Sequence, residues 1–132
     1  MTQTLDQKRA AIAWQYATKS RTLPNELADK YRNLAKGAPA LIMNSGLMPT
    51  LAFYSGKSKA REEVAETALL NDLMTGLIQR LAPQPAPRDF MSFMTMLQKC
   101  ESREYLRYTD EALELLKWLR QFVDAVGSKE EP

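Results

Sequence analysis

Apolar residues between Leu69 and Leu81 recur three and four positions apart, which is the repeat of an α-helix and not of a β-strand. They cover nearly the whole circumference of that helix, and the set is Leu69, Leu70, Leu73, Met74, Leu77, Ile78 and Leu81. A helix that is apolar on almost every side has to be buried by other elements. The segment therefore predicts a central helix that further helices surround.

The rest of the sequence also favours helices. No stretch alternates apolar and polar residues over the length of a strand, and β-branched residues are few. With 132 residues, 45% of them hydrophobic, the chain is long enough for one self-sufficient core. We predict a single all-α domain over residues 1–132, a compact bundle of six or seven helices without a sheet, in which residues 128–132 form a frayed tail.

Capping and breaking residues set the predicted helix boundaries. Thr4 and Gln7 form a capping-box pattern, which opens a first helix that runs to about Ser20. Pro24 suits the first turn of a second helix that ends near Gly37. A further helical stretch begins at Pro39 and stops or kinks at 44–46, and a short helix over Leu47 to Tyr54 follows it. We then predict a long helix from Ser58 to Leu81 and an extended proline-rich connector over 83–87. The last predicted elements are a helix from Asp89 through Lys99, a turn over 102–107 and a helix from Thr109 to Gly127.

The residues that most catalytic and metal sites need are missing. There is no histidine, and Cys100 is the single cysteine, so neither a zinc-binding spacing nor a Cys–His pair exists. No phosphate-binding glycine motif occurs among the five glycines. We expect a binding protein without catalytic residues, metal or cofactor. An enzyme that acts on nucleic acid through Glu62, Glu63 and Glu66 is the minority alternative.

Several features favour a cytoplasmic protein. A single cysteine excludes an intrachain disulfide and indicates a reducing compartment. No run approaches the ~18 apolar residues that a membrane span needs. Residues 1–6 lack the basic-then-apolar pattern of a signal peptide.

The net charge of +2 is unevenly distributed along the chain. Residues 1–61 carry ten Lys/Arg and three Asp/Glu, a balance of +7, whereas residues 62–132 carry eight and thirteen, a balance of −5. If the fold keeps the two halves partly apart, one surface is basic and attracts polyanions. If the helices interleave the two halves, the asymmetry has no such consequence.

Cations in two places are candidate phosphate contacts. On the first helix Lys8, Gln15 and Lys19 share one stripe, and Arg9 lies beside the apolar stripe, which would hold its head in place. A second group lies at the predicted loop-to-helix junction, where backbone N–H groups favour anions, and consists of Lys57, Lys59 and Arg61. Each group also has a plain interpretation as solvated surface.

The segment around Met91 is more apolar than one buried helix face requires. Phe93, Met96 and Leu97 fit a stripe toward the core. Three residues fall partly on other sides and are candidates for a protein interface: Phe90, Met91 and Met94. Burial in the core is the alternative for these three residues.

Three blocks of sequence carry a family resemblance. The first is Gln7-Lys8-Arg9-Ala10, the second is Pro39-Ala40-Leu41-Ile42 with Asn44-Ser45-Gly46-Leu47 and Leu51-Ala52-Phe53, and the third runs from Tyr105-Leu106-Arg107-Tyr108-Thr109 through Glu111-Ala112-Leu113 to Trp118-Leu119 and Phe122. Together, in this order and spacing, they resemble the small subunit of the type III-B CRISPR effector complex, the RAMP-module Cmr complex.

The resemblance implies a non-catalytic helical protein that stacks with copies of itself into a short filament inside a ribonucleoprotein. Its partners would be the other subunits of the Cmr complex together with the guide RNA and the target RNA. The basic residues that would contact this RNA are Lys8, Arg9, Lys19, Lys57, Lys59, Arg61 and Arg107. The alternative function is that of a helical adaptor that binds only proteins and makes no contact with nucleic acid.

Overall fold

A computed structural model of the chain describes residues 2–60 and 64–127, apart from the side chains of residues 58–60. These ranges contain six helices and no strand, so the predicted all-α class is confirmed. The helices are α1 (Leu5–Ser20), α2 (Asn25–Ser45), α3 (Leu47–Ala60), α4 (Ala65–Leu81), α5 (Phe90–Lys99) and α6 (Ser102–Val126). The predicted frayed tail, residues 128–132, lies outside the described residues.

Local capping explains the helix ends that were predicted correctly. The hydroxyl of Thr4 accepts from the backbone N–H of Gln7 at 3.1 Å, and the backbone N–H of Thr4 donates to Gln7 Oε1 at 2.8 Å, which completes the capping box of α1. Asp89 caps α5 with the same reciprocal pattern. Helices α2 and α6 end at Gly46 and Gly127, both with positive φ, a conformation that glycine adopts without strain.

Helix α2 continues through Gly37 and Pro39, so the predicted break between them is wrong. Proline removes one backbone hydrogen bond from the helix interior. The buried residues of α2 lie three and four positions apart on both sides of the proline, and they include Tyr31, Ala35, Ala38 and Ile42. Burial of this continuous face outweighs the loss of a single hydrogen bond and keeps the helix intact.

Two further predicted boundaries are wrong. Helix α3 passes Gly56 and includes Ser58, so Ser58 does not open the next helix, and α4 begins only at Ala65. Helix α6 begins at Ser102 and contains Thr109 in its interior. The hydroxyl of Thr109 donates to the carbonyl oxygen one turn earlier at 3.1 Å, which is the bond that a threonine makes inside a helix and not at its start.

Helix α4 occupies the centre of the bundle, as its apolar circumference predicts. It packs against α2, α3 and α6, while α1 packs along α6. At Gly76 the helix approaches its neighbours very closely, because a Cβ there would lie 3.2 Å from Leu115 Cδ1 and 3.4 Å from both Ile12 Cγ2 and Tyr16 Cε2. The missing side chain of this glycine therefore lets α1, α4 and α6 meet.

Candidate nucleic-acid interface

A buried ion-pair cluster joins α1 and α4 to α6. Nε and Nη2 of Arg9 donate to the two carboxylate oxygens of Glu111 at 2.8 and 2.9 Å, and Nε of Arg80 donates to Glu111 Oε2 at 3.3 Å. The Glu111 side chain is only 4% exposed. Burial by itself raises the pKa of Glu111, but the hydrogen bonds and charges of Arg9 and Arg80 outweigh it and hold that pKa below its usual 4.5.

This cluster changes the role of Arg9. Its side chain is 16% exposed, and its hydrogen bond to Glu111 is the main cause that raises its pKa. A guanidinium that makes two bonds to a buried carboxylate is held in one orientation. Arg9, predicted as a contact for RNA, therefore serves first to fix α1 against α6.

A second polar cluster joins α1 and α2 to α4. Nζ of Lys19 donates to Asp72 Oδ1 at 2.7 Å, and the hydroxyl of Tyr31 donates to Asp72 Oδ2 at 2.6 Å. Burial raises the pKa of Asp72, and the bonds from Lys19 and Tyr31 oppose that shift. The Lys19 side chain is 60% exposed, so it is anchored at its tip and still accessible from solvent.

Helices α1 and α4 leave an open groove at the surface, which we call the α1/α4 groove. Its lining consists of Gln3, Lys8, Ala11, Ile12, Gln15, Gln79 and Arg80. Two of these residues are cations, three are amides and none is a carboxylate. Lys8 and Gln15 are two members of the predicted stripe on α1, and the third member, Lys19, follows Gln15 by one helical turn.

Sequence reasoning missed the other polar residues of the groove. Gln79 and Arg80 face α1 only because the bundle brings the carboxyl end of α4 to the amino end of α1. The one local indication is that these two residues, both with long polar side chains, stand next to each other just before the helix ends at Leu81. A polar pair at that position predicts an exposed helix end but does not identify the surface opposite it.

Lys57 does not lie at the helix start that was predicted for the group of Lys57, Lys59 and Arg61. Lys57 lies in the last turns of α3, at a carboxyl end, where no backbone N–H groups point outward. A cation is favourable at this end of a helix, so the dipole of α3 explains Lys57 without a bound anion. Nζ of Lys57 lies 5.6 Å from the ring centroid of Phe53, whereas the Lys59 side chain and Arg61 lie outside the described residues.

Arg107, the last predicted RNA contact, lies in the first half of α6 and not in the α1/α4 groove. Its side chain is 60% exposed and forms an ion pair with Glu104 at 3.8 Å, one helical turn away. An exposed pair of this length contributes little to stability, so the guanidinium is free to exchange partners.

Of the three predicted interface residues, only Met91 is largely exposed, at 73%. Phe90 and Met94 are partly buried and pack against the core. The core stripe predicted for α5 is present, because Phe93 and Leu97 are buried and the ring of Phe93 makes a T-shaped contact with Tyr108. The structure also exposes apolar side chains that sequence reasoning did not single out, namely Met43, Phe53 and Leu106.

The acidic residues of the described ranges do not converge on a metal site. Within residues 2–60 and 64–127, no three side chains of His, Cys, Asp or Glu are placed to share an ion. Glu66 is buried and its Oε2 lies 3.8 Å from Lys30 Nζ, whereas Glu62 and Glu63 lie outside the described residues. In the same ranges no helix combines the length and the hydropathy that a membrane crossing requires.

Known proteins match this chain in sequence and in fold. A Cmr subunit, Cmr5, of the CRISPR system of Thermus thermophilus is 31% identical over 97 residues, which cover 74% of this chain and 75% of that protein. The crystal structure of a CRISPR-associated Cmr5 family protein from the same organism superposes with a TM-score of 0.73 at 27% identity, covering 94% of this chain and 97% of that chain. The sequence profile of the CRISPR-associated protein family Cas_Cmr5 matches residues 5–126, the span from the first residue of α1 to the last residue of α6. These matches confirm the resemblance that the sequence blocks carry, and the chain belongs to the Cmr5 family of CRISPR-associated proteins.

Proposed function

We propose that this protein is a non-catalytic structural subunit of the cytoplasmic Cmr effector complex and contacts the guide–target RNA through the α1/α4 groove. Membership of the Cmr5 family supports its place in the complex, since the Thermus relative is named as a Cmr subunit. The contact with RNA is supported by the groove itself. The absence of histidine agrees with a role in binding.

The composition of the groove lining carries the proposal. Lys8 is exposed and offers positive charge to phosphates, and no residue of the lining is a carboxylate. Arg80 adds less charge, because its Nε already donates to Glu111 at 3.3 Å. The side-chain N–H groups of Gln3, Gln15 and Gln79 can donate to phosphate oxygens, and their carbonyl oxygens can accept from ribose 2′-hydroxyls. Contacts of this kind position a protein on a nucleic acid without reading its sequence, as a subunit that serves many different guides requires.

The two buried clusters support the groove from below. Glu111 accepts a hydrogen bond from Arg80 on the α4 wall of the groove and another from Arg9, which fixes α1 on the opposite wall. Asp72 fixes Lys19, which lies just beyond Gln15 along α1. Groups that are already oriented lose less conformational entropy when a ligand binds, so this arrangement favours RNA contact.

The salt dependence of RNA binding tests the proposal. Lys8→Gln removes one cation from the groove, and the slope of log K against log salt should decrease by about 0.7–0.9 for one lost phosphate contact. Lys117→Gln is the matched control, because Lys117 is also exposed but lies on α6 and outside the groove. An equal effect of the two substitutions, or no effect of either, contradicts the proposal.

Stacking of copies into a short filament is the second part of the proposal. Within the described residues, five helices expose large apolar side chains, and those outside α1 include Met43, Phe53, Met91 and Leu106. A head-to-tail contact needs two different complementary surfaces on one molecule, so apolar residues on several sides suit it. Burial of one such side chain stabilises a contact by roughly 1.5–3 kcal/mol.

The same exposed side chains favour a second candidate function, an adaptor that binds only proteins. This candidate shares the apolar contacts but gives the α1/α4 groove no role. Because an adaptor adds nothing to the binding of RNA, Lys8→Gln would then leave the salt slope of the complex unchanged.

A further inference from the structure

Helix α1 has a second exposed edge, on which Trp14 keeps 47% of its surface accessible. The indole meets the ring of Phe122 edge to face, with 5.1 Å between centroids and 88° between planes. Trp118 packs against the same phenyl ring at 5.8 Å. A T-shaped contact uses only one side of the indole, so Trp14 is held in place and still presents a large aromatic surface to solvent.

This aromatic surface lies in an open depression of about 570 Å³ between α1 and the end of α6. Its lining consists of Trp14, Thr18, Arg21, Thr22 and Val126. Arg21 is exposed, carries the only charge of that lining and directly follows the last residue of α1. Its backbone keeps helical angles, so it lies two turns after Trp14 on the same side. The hydroxyls of Thr18 and Thr22 donate to the backbone carbonyl oxygens of Trp14 and Lys19, which fixes their orientation at the edge of the depression.

We propose that this depression, the Trp14 site, binds an unpaired nucleotide of single-stranded RNA, with the base stacked on the indole and a phosphate on Arg21. Proteins that bind single strands combine a platform for base stacking with positive charge along the backbone. The depression supplies both features, and no carboxylate lies in its lining to repel a phosphate. A base within a duplex is already stacked on both sides, so the Trp14 site selects unpaired RNA.

The Trp14 site rests on the proposed function in one respect, since both take RNA as the ligand of this chain. It uses other residues and another form of RNA. Around α1 at 100° per residue, Lys8 and Gln15 of the α1/α4 groove lie roughly 120° from the stripe of Trp14 and Arg21. The two sites therefore lie on different edges of one helix, and each can be tested without the other.

Fluorescence of Trp14 tests the site directly in the full chain. Trp118→Phe leaves Trp14 as the single indole, and it should be tolerated because Nε1 of Trp118 is buried without a hydrogen-bond partner. A single-stranded oligouridylate should quench this fluorescence, whereas a blunt RNA duplex of the same length should quench it far less. Trp14→Ala should weaken binding of the oligouridylate about 5- to 150-fold, the cost of one lost stacking contact.

Three further variants control the measurement. Trp14→Phe keeps an aromatic face and should retain most of the affinity, and Arg21→Gln should lower the salt slope by about 0.7 while quenching at saturation persists. Leu106→Ala removes an exposed apolar side chain outside the depression and should change nothing. Circular dichroism of each variant establishes that the helices remain.

Several outcomes overturn the Trp14 site. No binding or quenching by the oligouridylate, or equal affinity of the wild type and a folded Trp14→Ala variant, removes it. A Trp14→Ala variant that binds RNA normally but no longer enters the complex identifies the surface as a protein contact instead. If Trp14→Ala has no effect but Lys8→Gln weakens binding of the duplex, only the Trp14 site has failed. If neither substitution weakens binding of RNA, the proposed function has failed as well.

Discussion

Arg9 and Glu111 lie 102 positions apart in the chain and form a two-bond ion pair, with donor–acceptor distances of 2.8 and 2.9 Å. The pair closes the first helix onto the last one. Because Arg80 approaches the same carboxylate, the cluster also connects both helices to the central one. The position of Arg9 in the sequence therefore does not show whether its side chain is a surface cation or a contact of the core.

Arg9→Ala should lower the free energy of unfolding by about 2–3 kcal/mol. Removal of one partner from a buried ion pair costs about 3–5 kcal/mol, and here Arg80 still compensates part of the charge on Glu111. Arg107→Ala is the control, because its pair with Glu104 is exposed and should cost less than about 1 kcal/mol. Urea unfolding followed by circular dichroism measures both, and equal losses would contradict the structural role of Arg9.

The stability of the protein should fall as the pH drops below about 4.5, with Glu111 as one cause. The pKa of Glu111 is lowered in the folded chain, so the unfolded chain takes up this proton first and acid favours unfolding. Asp72 acts in the opposite direction, because burial raises its pKa and the folded chain takes up that proton first. Unfolding free energies should therefore decrease less steeply from about pH 6 to pH 3 for Glu111→Gln than for the wild type.

The matched variant for this pH series is Asp72→Asn. Protonation of Asp72 adds stability to the folded chain as the pH falls, and the substitution removes this addition. The free energy of unfolding of Asp72→Asn should therefore decrease more steeply toward low pH than that of the wild type. Parallel curves for the wild type and both variants would show that neither carboxylate controls the acid response.

Thr4→Ala should lower the free energy of unfolding by about 1 kcal/mol. The substitution removes the hydroxyl that accepts from the backbone N–H of Gln7 and leaves that donor without its cap. Thr2→Ala is the comparison, since Thr2 is exposed and precedes the cap. Chemical denaturation distinguishes the two, and an equally small change in both would mean that the first turn of α1 does not depend on the capping box.

Met91→Asp should leave the fold intact and reduce incorporation into the Cmr complex. The side chain is 73% exposed, so a charge there stays in water until a partner covers it. Met94→Asp should instead destabilise the free protein, because Met94 packs against the core. Thermal unfolding and co-purification with the other subunits measure these effects, and normal incorporation of a folded Met91→Asp variant would place the stacking surface elsewhere.

The ends of the helices could be predicted wherever they depend on near neighbours. The caps at Thr4 and Asp89 need only a partner three residues away, and Gly46 and Gly127 adopt a conformation that favours glycine. The predicted break at Pro39 failed for the opposite reason, because a long buried face of α2 continues across it. The predicted start at Thr109 failed because α6 already begins at Ser102, although Tyr108 is the one buried residue of the helix before that position. The spacing of Tyr31, Ala35, Ala38 and Ile42 was the available indication that α2 does not stop.

The candidate site could be predicted only in part. Helical geometry was enough to place Lys8 and Gln15 on one stripe, and they do lie together in the α1/α4 groove. The opposite wall contains Gln79 and Arg80, and its position depends on how α1 and α4 pack. The sequence pattern of neither helix predicts that packing. The pairing of Arg9 with Glu111 is of the same kind, since no local pattern links residues at opposite ends of the chain.

Gly76 connects the interior of the bundle to the surface that faces RNA in our proposal. On the α1 side, a Cβ at this position would lie 3.4 Å from both Ile12 Cγ2 and Tyr16 Cε2, and Ile12 also lines the α1/α4 groove. A larger residue at 76 therefore has to displace the same side chain that forms part of the groove. In our proposal the affinity for RNA would therefore depend on the volume of a residue that the ligand never touches, and a substitution at this buried position would alter the width of the groove without altering any of its charges.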